Sequence, residues 1–110
     1  MKALLPLLSC TLLAASVAVA FAAPRPVDLS RVRRIVLLGD SITQGGGRPG
    51  GYVWQIDRYL QVIYPWRKVE IVNAGISGHK SNDMLARFQR DVLDKKPDLI
   101  TISVGINDVW

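Results

Sequence analysis

The sequence predicts an α/β fold built on a parallel sheet, and three observations carry that expectation. The run Ile35-Val36-Leu37-Leu38 is continuously apolar rather than alternating, the pattern of a strand covered on both faces. Two stretches with helical apolar spacing separate it from two later strand-like runs, Val69 to Val72 and Leu99 to Val104. The resulting β-α-β-α-β order repeats in units of about thirty residues, the size of a right-handed parallel crossover.

The first 22 residues stand apart from this pattern. Met1-Lys2 is a short positive start, Ala3 to Val19 is almost uninterrupted apolar sequence, and Ala20-Phe21-Ala22 is a small-x-small cleavage site. Residues 1–22 are therefore read as a signal peptide cut before Ala23, and the protein as exported, either secreted or periplasmic. An uncleaved anchor is the rival, because the apolar stretch approaches bilayer thickness; Pro6 and the small-residue end favour processing. Leu8-Ser9-Cys10 resembles a lipoprotein site only faintly, since too few residues precede it to form an apolar core.

Cleavage removes Cys10, the only cysteine, and with Lys2 one positive charge, so the formal charge falls from +5 to +4. A chain without thiols suits an oxidising compartment, and a disulfide framework is excluded. Arg31, Arg33 and Arg34 form the only dense basic group. They read as a solvated strand entrance, so no nucleic acid partner is expected, nor a stable membrane association once the signal is cut.

Residues 23–32 read as a linker, extended through Pro24 and Pro26, and residues 33–110 as the domain. The first strand is expected from Arg31 to Leu38, followed by a glycine-rich loop from Gly39 to Gly51. Between Tyr52 and Tyr64, Val53, Ile56, Leu60 and Ile63 recur at spacings of three, four and three, one face of a helix that Pro65 stops. The strand Val69 to Val72 ends in Asn73-Ala74-Gly75. A second helix runs from Ser81, a candidate N-cap, to Leu93, with Leu85, Phe88, Val92 and Leu93 as its buried face. Lys95-Lys96-Pro97 closes it, and the strand Leu99 to Val104 leads to the exit turn Gly105-Ile106-Asn107-Asp108.

Ser41 lies three residues after Leu38, Gly75 three after Val72, and Asn107 three after Val104. Parallel strands point the same way, so all three turns should meet at the carboxyl edge of the sheet, where open α/β folds bind ligands. The residue types suit acyl transfer. Ser41 can attack a carbonyl carbon, Gly75 leaves a backbone N–H unshielded, and Asn107 can aim an amide at the resulting oxyanion.

Gly39-Asp40-Ser41, Asn73-Ala74-Gly75 and Gly105-Ile106-Asn107-Asp108 resemble the first three motifs of the SGNH (GDSL-type) hydrolases. The likeness spans about Arg33 to Trp110. It implies a flavodoxin-like three-layer α/β/α fold and a serine esterase that needs no cofactor or metal. Ser41 would be the nucleophile, with Ser41 N–H, Gly75 N–H and the Asn107 side chain as the oxyanion hole. Asp40 would shape the nucleophile turn rather than serve as the triad acid. The implied substrate is a small-molecule or carbohydrate ester with a short acyl group, acetyl first, with lipid and thioester substrates left open.

The family takes its base and acid from a downstream Asp-x-x-His, which does not occur in this sequence. The sequence therefore reads as the N-terminal part of such a hydrolase, truncated after the third strand and inactive alone. A non-catalytic ligand-binding remnant is the alternative. His79, the only histidine, sits in the loop after Gly75 and reads as a rim residue rather than the base. Asp40 and Asp108 read as turn residues rather than metal ligands, and Trp54 and Trp66 as packing or surface aromatics. A nucleotide-binding domain is poorly supported, because the glycine cluster holds neither Gly-x-Gly-x-x-Gly nor Gly-Lys-Ser/Thr.

Overall fold

The computed structural model describes residues 28–110. The expected signal peptide and the linker as far as Val27 lie outside those residues. The described elements are β1 (Arg34–Gly39), α1 (Ser41–Gly46), α2 (Tyr52–Ile63), β2 (Glu70–Gly75), α3 (Ser81–Asp91) and β3 (Leu99–Ile102). Short 3-10 turns lie at Leu29–Arg31, Leu93–Lys95 and Ile106–Val109.

The sheet has the order β2-β1-β3 with both pairings parallel, so β1 is central. Successive residues of a strand face opposite sides, and β1 buries both. Ile35 and Leu37 pack with Val32 and with Val53 of α2, joined by Leu60, Val69, Ile71 and Leu99. Val36 and Leu38 pack with Met84 of α3 and with Val92, joined by Val72, Ala74, Phe88 and Ile100. One helix thus covers each face, the three-layer α/β/α arrangement. Val36, Leu37 and Leu38 are 2% exposed or less, and each such side chain contributes about 1.5–3 kcal/mol by leaving water.

The amino edge of the sheet is tied by polar contacts. Asp98 Oδ2 accepts from the backbone N–H groups of Arg33 and Arg34 at 2.7 and 2.9 Å. Those two bonds to the ionised form hold the Asp98 carboxyl below its ordinary range. Arg34 pairs with Glu70 at 2.7 Å, directly across the β1–β2 register.

Several expectations are corrected. β1 begins at Arg34 rather than Arg31, because Leu29–Arg31 forms a 3-10 turn capped by Asp28, whose carboxylate accepts from Ser30 N–H at 2.8 Å. The glycine-rich loop contains a helix, α1. Lys80, not Ser81, is the N-cap of α3, and its N–H donates to Asp83 at 2.9 Å. The buried face of α3 runs through Met84, Arg87 and Phe88 to Val92. Leu85 is 76% exposed and Leu93 43%, since each lies to one side of the 84-88-92 row that meets the sheet. On α2, Val53 and Leu60 reach the core while Ile56 and Ile63 stay partly exposed. β3 ends at Ile102 rather than Val104.

Candidate active site

The carboxyl ends of β1 and β2, and the turn beyond β3, lie at one edge of the sheet, though not at the register the equal offsets suggested. Gly39 is level with Gly75, and Leu38 with both Ala74 and Ile102. Val72 pairs with Val36 instead of Leu38. β2 therefore extends through Asn73-Ala74-Gly75, which pair with β1 as strand rather than forming a turn.

Ser41 is exposed and opens α1. Its place is set by Asp40, 1% exposed, whose Oδ1 accepts from Ile42 N–H at 2.9 Å while its carbonyl accepts from Gln44 N–H at 2.9 Å. Asp40 is thus the N-cap of α1, a role that uses its carboxylate for the backbone. Thr43, fully buried, shares a hydrogen bond of 2.8 Å with the Tyr52 hydroxyl and locks α1 against α2.

Two glycines are required by close approach rather than by backbone conformation. A Cβ on Gly39 would lie 2.0 Å from Thr43 Oγ1, and one on Gly75 would lie 2.2 Å from the backbone nitrogen of Gln44. Gly75 therefore lies against α1 at Thr43 and Gln44. Its N–H donates to Asn73 Oδ1 at 2.9 Å, and Asn73 Nδ2 donates to Thr43 O at 2.8 Å. The donor expected to stand free is engaged by a neighbouring carboxamide.

Asn107 lies in the 3-10 turn after β3, half-buried, and its Nδ2 donates to His79 O at 3.0 Å. A carboxamide has two N–H groups, so one remains for a ligand. Asp108 accepts from Ser81 N–H at 2.9 Å and from Ser81 Oγ at 2.5 Å. The serine hydroxyl, then its N–H, hold the Asp108 carboxyl below its ordinary range. Asp40 caps α1, and Asp108 reaches across to accept from Ser81, the first residue of α3.

His79 Nδ1 accepts from Arg87 Nε at 3.0 Å. In the neutral ring that bond assigns the proton to Nε2, so His79 offers no free lone pair to Ser41. It is partly buried and accepts from Asn107 through its carbonyl. Arg87, 5% exposed, was not legible as a site residue, although a charge set among Met84, Phe88 and Val92 on an apolar helix face was a signal that could have found it.

Comparison with known proteins adds four findings. Residues 37–110 match the profile of the GDSL-like lipase/acylhydrolase family. An acetylxylan esterase from Geobacillus stearothermophilus is 41% identical over 88 residues, covering 70% of this chain and 40% of that protein. The uncharacterized lipoprotein YqeF of Bacillus subtilis (strain 168) is 34% identical over 76 residues, covering 67% of this chain and 31% of that one. Among solved structures, an acetyl xylan esterase superimposes with a TM-score of 0.65 at 42% identity, covering 70% of this chain and 39% of the other. The chain thus spans about two fifths of the length of the esterases it matches.

Proposed function

The chain belongs to the GDSL-like lipase/acylhydrolase family, and on that premise we propose that it carries the nucleophile and oxyanion donors of an exported serine esterase acting on short acyl esters of carbohydrates, acetyl esters first. The observation that carries this reading is Ser41, exposed at the start of a helix that buried Asp40 caps and against which Gly75 packs.

Ser41 Oγ attacks the ester carbonyl carbon, and its proton passes to a base that the family draws from sequence beyond this stretch. Charge develops on the carbonyl oxygen as the tetrahedral intermediate forms. Ser41 N–H and the second N–H of Asn107 Nδ2 donate to that oxygen. Gly75 N–H is the third donor, passing from Asn73 Oδ1 to the oxyanion, because a bond to a charged acceptor is roughly twice as strong as one to a neutral amide. The intermediate collapses, the sugar hydroxyl leaves with the proton, and water then releases the acyl group from Ser41.

Acetyl and carbohydrate specificity is supported by acetylxylan esterase relatives at about 40% identity. Export is supported by the signal-like residues 1–22 and by a lipoprotein among the relatives. No helix among the described residues is long and apolar enough to cross a membrane.

The test is ester hydrolysis by the full natural protein on p-nitrophenyl acetate, p-nitrophenyl octanoate and acetylated xylo-oligosaccharides. Ser41→Ala is expected to lower kcat about 10⁴- to 10⁶-fold. Turnover that survives in Ser41→Ala removes the serine from the mechanism, and preference for octanoate removes the short-acyl assignment. A wild-type protein that binds these esters without turning them over is a ligand-binding remnant.

A further inference from the structure

We propose that Arg87 is a positioning residue of the oxyanion hole, one buried guanidinium that ties together the three segments carrying the site; this rests on reading the site as an esterase centre. Four contacts place it. Nη2 donates to Gly39 O at 3.0 Å and Nη1 to Ala74 O at 2.9 Å. Nε donates to His79 Nδ1 at 3.0 Å, and Nη1 also reaches Asp91 Oδ2 at 3.1 Å.

Each of the first three leads to a different catalytic position. Gly39 precedes Asp40-Ser41, so its carbonyl fixes the peptide that enters the nucleophile turn. Ala74 immediately precedes Gly75, so holding its carbonyl fixes the plane of the peptide unit that carries Gly75 N–H. His79 supplies the carbonyl that accepts from Asn107 Nδ2, and clamping its ring fixes the residue that carries that carbonyl. Asp91 balances the charge from one helical turn away.

The residue type follows from this geometry. Four acceptors on separate elements are reached from one side chain, which suits the multiple donors of a guanidinium fork. A lysine brings the same charge on a single nitrogen and cannot reach acceptors on β1, β2 and the loop at once. Burying a charge on the core face of α3 is costly compared with an apolar residue. An arginine that only had to fill space between Met84 and Phe88 would be a poor choice, whereas one that sets three donor positions has a reason to be there.

The test is steady-state hydrolysis of p-nitrophenyl acetate by the full natural protein carrying Arg87→Lys, Asn107→Ala or both, with circular dichroism to check the fold. Arg87→Lys is expected to lower kcat about 100-fold through misplacement of the donors, with KM within about threefold of wild type. In the Asn107→Ala background its effect should shrink by about tenfold, because one of the donors it positions is already gone. Strictly multiplicative effects, or a kcat unchanged in Arg87→Lys, overturn the proposal.

Where Arg87→Lys does not fold, His79→Ala removes only the Nε acceptor. It should lower kcat about tenfold and couple to Asn107→Ala in the same way; an unchanged kcat or a lack of coupling overturns the proposal. A wild-type protein without Ser41-dependent turnover overturns the esterase reading and this inference together. Turnover that Arg87→Lys leaves intact overturns the inference alone.

Discussion

The turn that presents Ser41 and the turn that presents Asn107 are held by different forces. The first stands on β1, whose Val36, Leu37 and Leu38 are almost wholly buried, and it is closed by the buried side chains of Asp40 and Thr43. The second follows β3. Its described anchors are polar: Asn107 to His79 O and Asp108 to Ser81. Ser41 is thus placed by packing, which is stiff because a close-packed core has few alternatives. Asn107 is placed by a handful of directional bonds, which can be altered one at a time.

That contrast yields three outcomes beyond those given for Ser41 and Arg87. The largest is expected from the core. Leu37→Ala in the full natural protein should lower stability by about 2–5 kcal/mol in denaturant unfolding. The fraction that stays folded should keep its kcat, since Leu37 touches no donor; a lowered kcat at full folding would show that the core transmits strain to Ser41.

A smaller effect of opposite character is expected at the polar turn. Asp108→Ala removes the acceptor for both Ser81 N–H and Ser81 Oγ. It should cost less stability than Leu37→Ala yet lower kcat about tenfold, because the turn carrying Asn107 loosens. Equal effects of the two substitutions on kcat would erase the distinction between the turns.

The smallest effect concerns acid. Hydrogen bonding from Arg90, and then from Arg87, lowers the Asp91 carboxyl from 3.8 to about 2. A carboxyl with a depressed folded-state pKa stabilises the fold above its unfolded value, and that contribution fades as pH falls toward the folded one. Stability should therefore decline from about pH 4 toward about pH 2. Asp91→Asn should flatten that decline. An unchanged acid profile would show that the Arg87 and Arg90 contacts do not favour the ionised form.

Periodicity located the elements well where one physical signal dominated. The apolar run of β1 was legible because both of its faces are covered, and Pro65 marked the end of α2 because it cannot continue a helix, whereas α3 ends at Asp91, short of both the expected Leu93 and Pro97. α1 was hidden among glycines, whose low helix propensity is outweighed here by the Asp40 cap and by Thr43 against Tyr52. Leu85 looked like core because hydrophobicity reports the capacity for burial, while the angle at which α3 meets the sheet decides which row is used.

The site divides in the same way. Ser41, Gly75 and Asn107 could be singled out from the chain itself, because reactive side chains, missing side chains and strand ends are written locally in residue identity. Their parallel placement at one sheet edge also followed from strand order. The engagement of Gly75 N–H by Asn73, the service of His79 through its carbonyl, and the reach of Arg87 to Gly39, Ala74 and His79 join residues up to 48 positions apart. Which donors meet which acceptors across such separations depends on how helices lie on the sheet, and only the tertiary structure decided that.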